Sequence, residues 1–588
     1  MNYSLSNSAQ GTDEGVGILA GLRKLLPLIR EDRRNLGLAL IAVLLNSGFA
    51  ILVPLLVGRA FDRHVVSGDY GGIVRYSIAL AIIFICMLVT GFMQTRIMGN
   101  VGQRILFRLR GALFDKLQEL PVAFFNQNKA GDLISRINND TDKLNQFFSR
   151  SLVQFAGNIF VIVGAAIAML AVNTRLGAAS LLPAVGLLIF VSLTSGWIKR
   201  KNKQSLQSLG GLSGEISESL ENFRVIVAFN RRDYFRERFT QVNNLNYDAA
   251  LMAGIANNTY VPVFGFVSNL ATLIVVAYGL HLITAGASMT YGLLISYLAY
   301  TNRFYDPLRQ MAAIWADFQT ALAAWERISQ VLEMKSDLPL LQASDGPRQA
   351  PLLEFRGVSF CYPGGKSVLK EINFALEHRK RYALIGPTGG GKSTTASLMA
   401  RLFDPVEGSV LLEGRDVRTV DPEERSRKIG FILQDPFLFS GTIRDNIVYG
   451  NDRLEHLTSE ELAGVLEGEG LSALLSRFDD GLETKVTSSS QEISLGQKQL
   501  IAFIRAVLRH PDLLILDEAT ANIDTVTEQL LDEILKRLPG NTTVVIIAHR
   551  LNTIANVDQI LFVNQGAITP AGSLSEAVAM LREGARQG

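Results

Sequence analysis

Six apolar stretches, at 36–57, 76–94, 151–172, 176–195, 260–283 and 291–305, approach the roughly 20 residues a helix needs to cross a bilayer. They are apolar on nearly every face, whereas a helix of a water-soluble bundle carries its apolar residues along one stripe. A membrane-embedded helical domain follows. The sixth stretch is the weakest, with Arg303 and Asp306 near its end. A charge at a bilayer centre costs about 2.5–3.5 kcal/mol on insertion scales, which places those two residues near the cytoplasmic boundary.

The connections between the stretches alternate between long and short. Those between the second and third and between the fourth and fifth are long and basic. One carries Arg104, Arg108, Arg110 and Lys116, the other Lys199, Arg200, Lys201 and Lys203. The short connections 173–175 and 284–290 are nearly free of cations, although Arg59, Arg63 and Arg75 flank the first short connection. The positive-inside tendency then places both long connections and both termini in the cytoplasm. Helical periodicity persists through the long connections, which predicts helices that continue out of the membrane and turn at their tips. Residues 1–35 hold no secretory signal. Arg23, Lys24, Arg30, Arg33 and Arg34 alternate there with Leu and Ile, a pattern suited to a short amphipathic helix on the membrane surface.

The apolar residues crowd into the first half, and the second half has ordinary soluble composition. At 588 residues several domains are expected. A net charge of +2 argues against a nucleic-acid partner, which usually requires a marked basic excess. Two cysteines, Cys86 and Cys361, build neither a disulfide framework nor a thiolate metal site. A few polar residues interrupt the apolar stretches: Asn46, Ser47, Asn158, Ser268, Asn269 and Thr272. Two readings stand for them, a substrate path or interhelical hydrogen bonds, the second being the commoner case. None is an acid or base that would signal proton coupling.

The second half is organised around Gly386-Pro387-Thr388-Gly389-Gly390-Gly391-Lys392-Ser393. The apolar run Tyr382–Ile385 before it suits a buried strand, and the segment from Thr394 has helical spacing. Strand, glycine-rich turn and helix is the context a phosphate-binding loop requires. Glycines let backbone N–H groups converge on phosphate oxygens, and the helix N-terminus adds a favourable dipole. Lys392 would reach the terminal phosphates, and the Ser393 hydroxyl would hold Mg²⁺. The apolar run Leu513–Leu516 ends in Asp517 and Glu518, as in a buried strand delivering carboxylates to the edge where open α/β sheets bind ligands. Asp517 is expected to hold the metal through water, and Glu518 to act as general base on the attacking water. The run Val544–Ile547 likewise leads to His549, a candidate γ-phosphate contact or a structural histidine.

With these motifs in one chain, the sequence resembles the half-size exporters of the ATP-binding cassette family. The resemblance implies a six-helix transmembrane domain with long cytoplasmic extensions, then an α/β nucleotide-binding domain. The corresponding boundaries are 1–35 for the N-terminal segment, 36–330 for the membrane domain, 331–351 for the linker and 352–588 for the nucleotide domain. It implies ATP and Mg²⁺ as ligands, with Tyr362 stacking on adenine, Thr394 beside the phosphates and Gln434 sensing Mg²⁺. By the same resemblance Ser494, Gly496 and Gln497 contact ATP bound to a second chain, Asp524 faces that chain, and His549 is a switch histidine. Segments 121–131 and 215–224 resemble the coupling helices at the tips of the cytoplasmic loops.

Two departures from the family pattern matter. Where the family reads Leu-Ser-Gly-Gly-Gln, this chain reads Ile493-Ser494-Leu495-Gly496-Gln497, and a side chain stands where backbone approaches the opposing ATP. Residues Thr487–Ser490 also lack the acidic and glycine residues usual before that motif. A homodimer would carry the altered motif twice, whereas a heterodimer could supply an intact one to this chain's phosphate loop. The heterodimer is the favoured expectation, the homodimer the alternative. The expected activity is ATP-driven export of an amphipathic, drug-like or lipid-like compound from a bacterial inner membrane. Import on the same fold and ATP-gated regulation are the alternatives.

Overall fold

A computed structural model describes residues 3–5, 30–285, 289–336, 338, 341, 350–363, 365–434, 436–478, 480–487, 493–517, 529, 531, 533–536, 538, 541–547, 557–571 and 575–580. By Cα packing the chain forms two units, one of residues 10–118 and 131–333, the other of 1–9, 119–130 and 334–588.

The first unit is helical. Its main elements are α1 (Arg33–Ala60), α2 (Tyr70–Glu119), α4 (Leu152–Val172), α5 (Thr174–Glu221), α6 (Phe223–Ala228), α7 (Arg232–Asn258), α8 (Tyr260–Thr284) and α9 (Tyr291–Leu332). The short α3 (Val122–Gln127) belongs to the second unit. Among the described residues five helical stretches are long and apolar enough to cross a membrane: Arg30–Val65, Tyr70–Glu119, Ala130–Val172, Thr174–Glu221 and Arg232–Thr284. Helices α2 and α5 run for 50 and 48 residues, well beyond a bilayer's thickness, so the helical periodicity of the long connections is realised as continuous helix.

The sixth expected span lies in α9, whose composition falls short of the other five. Its place in the bundle explains why. Tyr297, Tyr300 and Tyr305 are almost fully buried and carry their hydroxyls to backbone carbonyls of neighbouring helices. Tyr297 donates to Met169 and Asn173, the latter at 2.8 Å, Tyr300 to Ile51 at 2.7 Å and Tyr305 to Ser180 at 2.9 Å. A helix enclosed by others needs less hydrophobicity than one facing lipid, and buried hydroxyls with partners carry no desolvation penalty. Helices α1 and α9 approach closely at Gly58 and Gly292, where a Cβ on Gly292 would fall 2.0 Å from the Gly58 carbonyl oxygen. One turn away, Ser296 donates to the Pro54 carbonyl at 2.8 Å, at the point where proline interrupts α1.

In the second unit a six-stranded sheet has the order β12-β11-β3-β10-β9-β6. Its strands are β3 (Arg381–Ile385), β6 (Ile429–Ile432), β9 (Leu513–Asp517), β10 (Thr543–Ile547), β11 (Gln559–Asn564) and β12 (Ala567–Ala571). All neighbours pair parallel except the edge strand β12. Strands β9 and β10 are buried along their whole length, as sequences without alternation require in a parallel sheet covered on both faces. A second, antiparallel sheet of order β2-β1-β4-β5 contains β1 (Leu353–Cys361), β2 (Ser367–Leu376), β4 (Glu407–Leu412) and β5 (Arg415–Asp416). The two-residue strands β7 (Gly441–Thr442) and β8 (Lys485–Val486) pair with each other. The helices that bear on the site are α10 (Lys392–Met399), α11 (Ile443–Val448) and α12 (Leu495–Val507).

The first residues of the chain also belong to this unit. Tyr3 and Leu5 are buried, and Tyr3 meets Phe124 edge-on at 6.3 Å. Their backbone N–H groups donate to Gln127 Oε1 at 2.9 Å and Asn128 Oδ1 at 3.0 Å, and Asn128 Nδ2 returns a bond to the Tyr3 carbonyl. Residues 6–29, where the sequence predicts an amphipathic surface helix, lie outside the described residues.

Candidate functional site

Strand β3 lies between β11 and β10, near the middle of the parallel sheet, and is buried over its last four residues. The chain leaves its C-terminal end through Gly386, whose φ of +153° and position suit only glycine: a Cβ there would lie 1.9 Å from the Val563 carbonyl oxygen of β11. The loop closes at Gly391, also in a left-handed conformation, and α10 begins at Lys392 without a side-chain cap. The first N–H groups of α10 therefore face the concavity of the loop, where helix polarity and orphan donors make an anion site.

Lys392 is only 6% exposed, and its Nζ donates to the carbonyls of Gly386 at 2.9 Å and Pro387 at 3.1 Å. The ammonium is thus held against the loop that the sequence predicts to cradle phosphate. Ser393 Oγ donates to Asp517 Oδ1 at 3.3 Å, bringing together the two metal-ligating candidates drawn from motifs 124 residues apart. The parallel register explains this meeting: β9 pairs with β10 at Asp517 and Ile547, and β10 pairs with β3 at Ile547 and Leu384. The C-terminal ends of the three strands therefore line up at one sheet edge. A hydroxyl and a carboxylate are hard oxygen donors, a pair that fits Mg²⁺ completing its shell with water and phosphate.

Tyr362 follows β1 and bonds Thr394 Oγ1 through its hydroxyl at 3.1 Å. Its ring stands edge-on to Phe360 and Phe403, at 5.0 and 5.4 Å, and is 37% exposed. This places an available aromatic face beside the helix that follows the phosphate loop. Gln434 follows the edge strand β6, and its carbonyl accepts from Gln499 Nε2 at 3.5 Å. Tyr362, residues 386–394 and Asp517 thus converge, with Gln434 beyond the end of the same sheet.

Ser494, Gly496 and Gln497 belong to a different element, the start of α12. Ser494 and Gln497 form a reciprocal capping box, with Gln497 N to Ser494 Oγ at 3.2 Å and Ser494 N to Gln497 Oε1 at 2.9 Å. Gln497 Nε2 also donates to the Arg477 carbonyl at 3.0 Å. Among the described residues neither side chain bonds the phosphate loop. Leu495 occupies the first turn with 37% exposure. Glu518, Asp524 and His549 lie outside the described residues.

Arg505, not singled out by motif, is pinned in the same unit. It donates to the Asn446 carbonyl at 2.7 Å and to Asn446 Oδ1 at 3.1 Å, within 6.0 Å of the Phe439 ring and 5.7 Å of Tyr449. Burial pushes its guanidinium pKa down. At the preceding turn Asp445 accepts from the Thr442 backbone N–H and side chain, which hold its carboxyl below the usual carboxylate range. No sequence pattern distinguishes Arg505, whose partner Asn446 lies 59 residues away, whereas Asp445 was missed although Thr442-x-x-Asp445 is a local capping-box pattern.

In the helical unit Asn46 Nδ2 donates to Met87 O at 2.9 Å and Thr90 Oγ1 at 3.0 Å. Gln154 Nε2 and Asn158 Nδ2 both donate to Gln310 Oε1, at 2.8 and 3.4 Å. Interhelical hydrogen bonding therefore accounts for Asn46 and Asn158. Gln154 and Gln310 escaped the sequence reading, although Gln154 precedes Asn158 by one helical turn.

The family model for the ABC transporter transmembrane region matches residues 36–308, and the ABC transporter model matches residues 369–521. An uncharacterized ABC transporter ATP-binding protein of Bacillus subtilis (strain 168) is 33% identical over 95% of this chain and 92% of its own length. A multidrug resistance ABC transporter ATP-binding and permease protein of Lactococcus lactis is 31% identical over 87% of this chain and 86% of its own. A fatty acid ABC transporter ATP-binding/permease protein of Mycobacterium bovis is 31% identical over 87% and 80% respectively. The chain belongs to the ABC transporter family. It is an integral membrane, ATP-binding and ATP-hydrolysing transporter of the half-size exporter type, with membrane and nucleotide domains in one polypeptide.

Proposed function

We propose that this chain is one half of a dimeric exporter that moves an amphipathic compound outward by alternating access. The observation that carries the reading is the meeting of Ser393 with Asp517 at the mouth of the loop that holds Lys392, in a chain whose other unit has bilayer-length helices. In this scheme the phosphates of ATP sit over the N-terminus of α10, and Lys392 turns from the loop carbonyls to their oxygens. Tyr362 offers its ring to adenine, and Thr394 lies beside the phosphates. Ser393 and Asp517 would hold Mg²⁺, which would supply positive charge to the phosphates, with Gln434 adjoining them. Glu518 acts as general base on the attacking water and His549 contacts the γ-phosphate.

Ser494, Gly496, Gln497 and Asp524 face a second chain in this scheme. Phe223 and Phe229, flanking the tip helix α6, are 54% and 74% exposed, apolar surface that association would cover. Leu495 points to a partner with an intact motif, hence to a heterodimer. Closure of the two nucleotide domains on ATP switches the membrane helices, because ATP binds the closed state better than the open one. The names of relatives that carry drugs and a fatty acid support an amphipathic, drug-like or lipid-like substrate. The location follows as a bacterial inner membrane with both termini in the cytoplasm.

The test is ATPase activity of the purified chain in lipid, alone and with a co-expressed half-transporter carrying the intact motif. Low activity alone, restored by the partner and abolished by Glu518→Gln, is the expected result. Robust turnover by the chain alone would replace the heterodimer by a homodimer, and turnover surviving Glu518→Gln would remove the general base from the mechanism.

A further inference from the structure

The helical unit contains a cavity of about 510 Å³ between α1, α2 and α4, within the roughly 300–1,000 Å³ of small-molecule sites. Its polar lining includes Asn46, Gln94, Arg150, Gln154 and Asn158. Hydroxyls of Ser47, Thr95 and Ser149 add to these, and Val43, Val153 and Val161 supply apolar wall. Among the described residues no carboxylate lines it, and the formal charge on that described lining is the Arg150 guanidinium. Among the described residues Arg150 forms no ion pair.

The arrangement is graded along α4. Arg150 lies in the π-helical turn Phe147–Ser151 that immediately precedes the apolar stretch. Gln154 and Asn158 follow at one-turn intervals, so Asn158 lies about 12 Å farther along the helix at 1.5 Å per residue. Cation, amide and amide thus succeed one another into the span. The amides are held by their shared acceptor, Gln310 Oε1, and Asn46 by α2, so their positions are fixed before any ligand enters. A primary amide engaged by one bond keeps further donor and acceptor capacity. On the outward side of α1, Ile41, Leu44 and Leu45 are exposed, an apolar surface continuous with the helix that forms one wall of the cavity.

Interhelical bonding explains the amides but neither the cavity nor an unpaired arginine beside it. Arg150 is exposed at the start of the apolar span, so its guanidinium stays in reach of a ligand entering the cavity while its stem lies along the helix. The sign of the ligand follows from the lining, since amides and hydroxyls serve either sign and Arg150 alone discriminates. We propose that this cavity receives the anionic head of an amphiphile, a carboxylate or phosphate on an alkyl chain. Arg150 pairs with the charge, Gln154 and Asn158 solvate the head, and the chain lies along the apolar wall. This inference deepens the export reading by assigning the substrate's charge, and it stands on geometry separate from the ATP site.

The test uses the full-length transporter in nanodiscs of neutral phosphatidylcholine, without nucleotide. Binding of 11-dansylundecanoic acid is followed by fluorescence, with displacement by dodecanoate, dodecyltrimethylammonium and dodecanol. The expected result is displacement by dodecanoate at least tenfold more effective than by the ammonium or the alcohol. Arg150→Gln weakens probe binding at least tenfold, Arg150→Lys retains it within about threefold, and Arg150→Glu turns the preference towards the ammonium. The gain of cation preference in Arg150→Glu separates a changed site from a misfolded one, and Arg75→Gln, on an exposed side chain remote in sequence, leaves binding as it was. Repeating the titration in nanodiscs containing phosphatidylglycerol distinguishes the source: competition assigns the site to a lipid phosphate, its absence to a free carboxylate, and both keep an anion. Equal displacement by the ammonium and the carboxylate, or unchanged binding in Arg150→Gln, overturns the proposal. ATPase activity of the same preparation keeps the two readings apart: an active transporter without anion preference refutes the cavity assignment alone, and a transporter inactive even with its partner refutes the export reading alone.

Discussion

Replacing Gly386 by alanine perturbs the ATP site through a single methyl group. The added Cβ would sit 1.9 Å from the Val563 carbonyl oxygen and 2.9 Å from its carbon. Ordinary contact begins at 3.4 Å, so the loop and β11 must separate by about 1.5 Å. Val563 is fully buried and β11 is held in register to β3 at Phe562 and Ile385, so the strand has no slack to give. A non-glycine residue at a φ of +153° adds backbone strain of about 1–3 kcal/mol. Forced displacement in a packed interior costs about 1–3 kcal/mol more. The combined penalty of about 2–6 kcal/mol falls on the loop whose carbonyl at position 386 positions Lys392. If only the lower bound reaches the ATP-bound state, turnover falls about 30-fold. The assay is ATP hydrolysis in lipid, beside the rise in unfolding temperature that saturating ATP produces in each protein. Gly389→Ala provides the comparison: its Cβ meets nothing within 4 Å, so only the left-handed backbone penalty of about 1–2 kcal/mol applies. Equal activity of Gly386→Ala and wild type, or a larger loss in Gly389→Ala, would refute the reasoning.

Two further outcomes concern stability. Asp445→Ala removes one half of the Thr442–Asp445 capping box and should cost about 0.5–1 kcal/mol in thermal or denaturant unfolding of the nucleotide domain. Because the Asp445 carboxyl is held below its usual range, its contribution is full above about pH 4 and lost as pH falls through the lowered value; a wild-type and mutant difference that grows on acidification would contradict this. Arg327→Met removes its ion pairs with the fully buried Asp140 at 3.3 Å and with Asp132 at 2.7 Å, leaving Asp140 with Lys143 at 2.9 Å among the described residues, an expected loss of about 3 kcal/mol seen as a lowered midpoint in detergent unfolding.

The strand, loop and helix around the candidate phosphate loop and the strand ending at Asp517 were legible because their motifs are local, whereas Glu518, Asp524 and His549 lie outside the described residues. Gly386–Ser393 and the apolar runs ending at Asp517 and Ile547 each carry their structural context within a few residues. Their meeting at one sheet edge followed from parallel pairing alone. The second, antiparallel sheet was not read from the sequence: β1 and β2 are joined by the short connection 362–366, but β4 reaches β1 from beyond the phosphate loop, a pairing with no local signal. Polar residues within the spans were equally opaque. Periodicity places Gln154 and Asn158 on one face of α4, but nothing local indicates that Gln310, more than 150 residues away, holds both. The weak hydropathy of α9 read as marginal, whereas the structure accounts for it by burial among tyrosine-bonded neighbours.

The body that contains the nucleotide site is assembled from three separated pieces of chain, and this orders its biogenesis. Residues 119–130, with Tyr3 and Leu5 bonded across Gln127 and Asn128, are made long before residue 334, where the remainder begins. At roughly 5–20 residues per second, the intervening stretch of about 200 residues keeps the ribosome occupied for on the order of 10–40 s. Through that interval the early piece has none of its later neighbours, so Phe124 and the rest of its apolar face wait for a surface still to be synthesised. Its cover during the delay comes from Tyr3, whose ring meets Phe124 edge-on and is made before it.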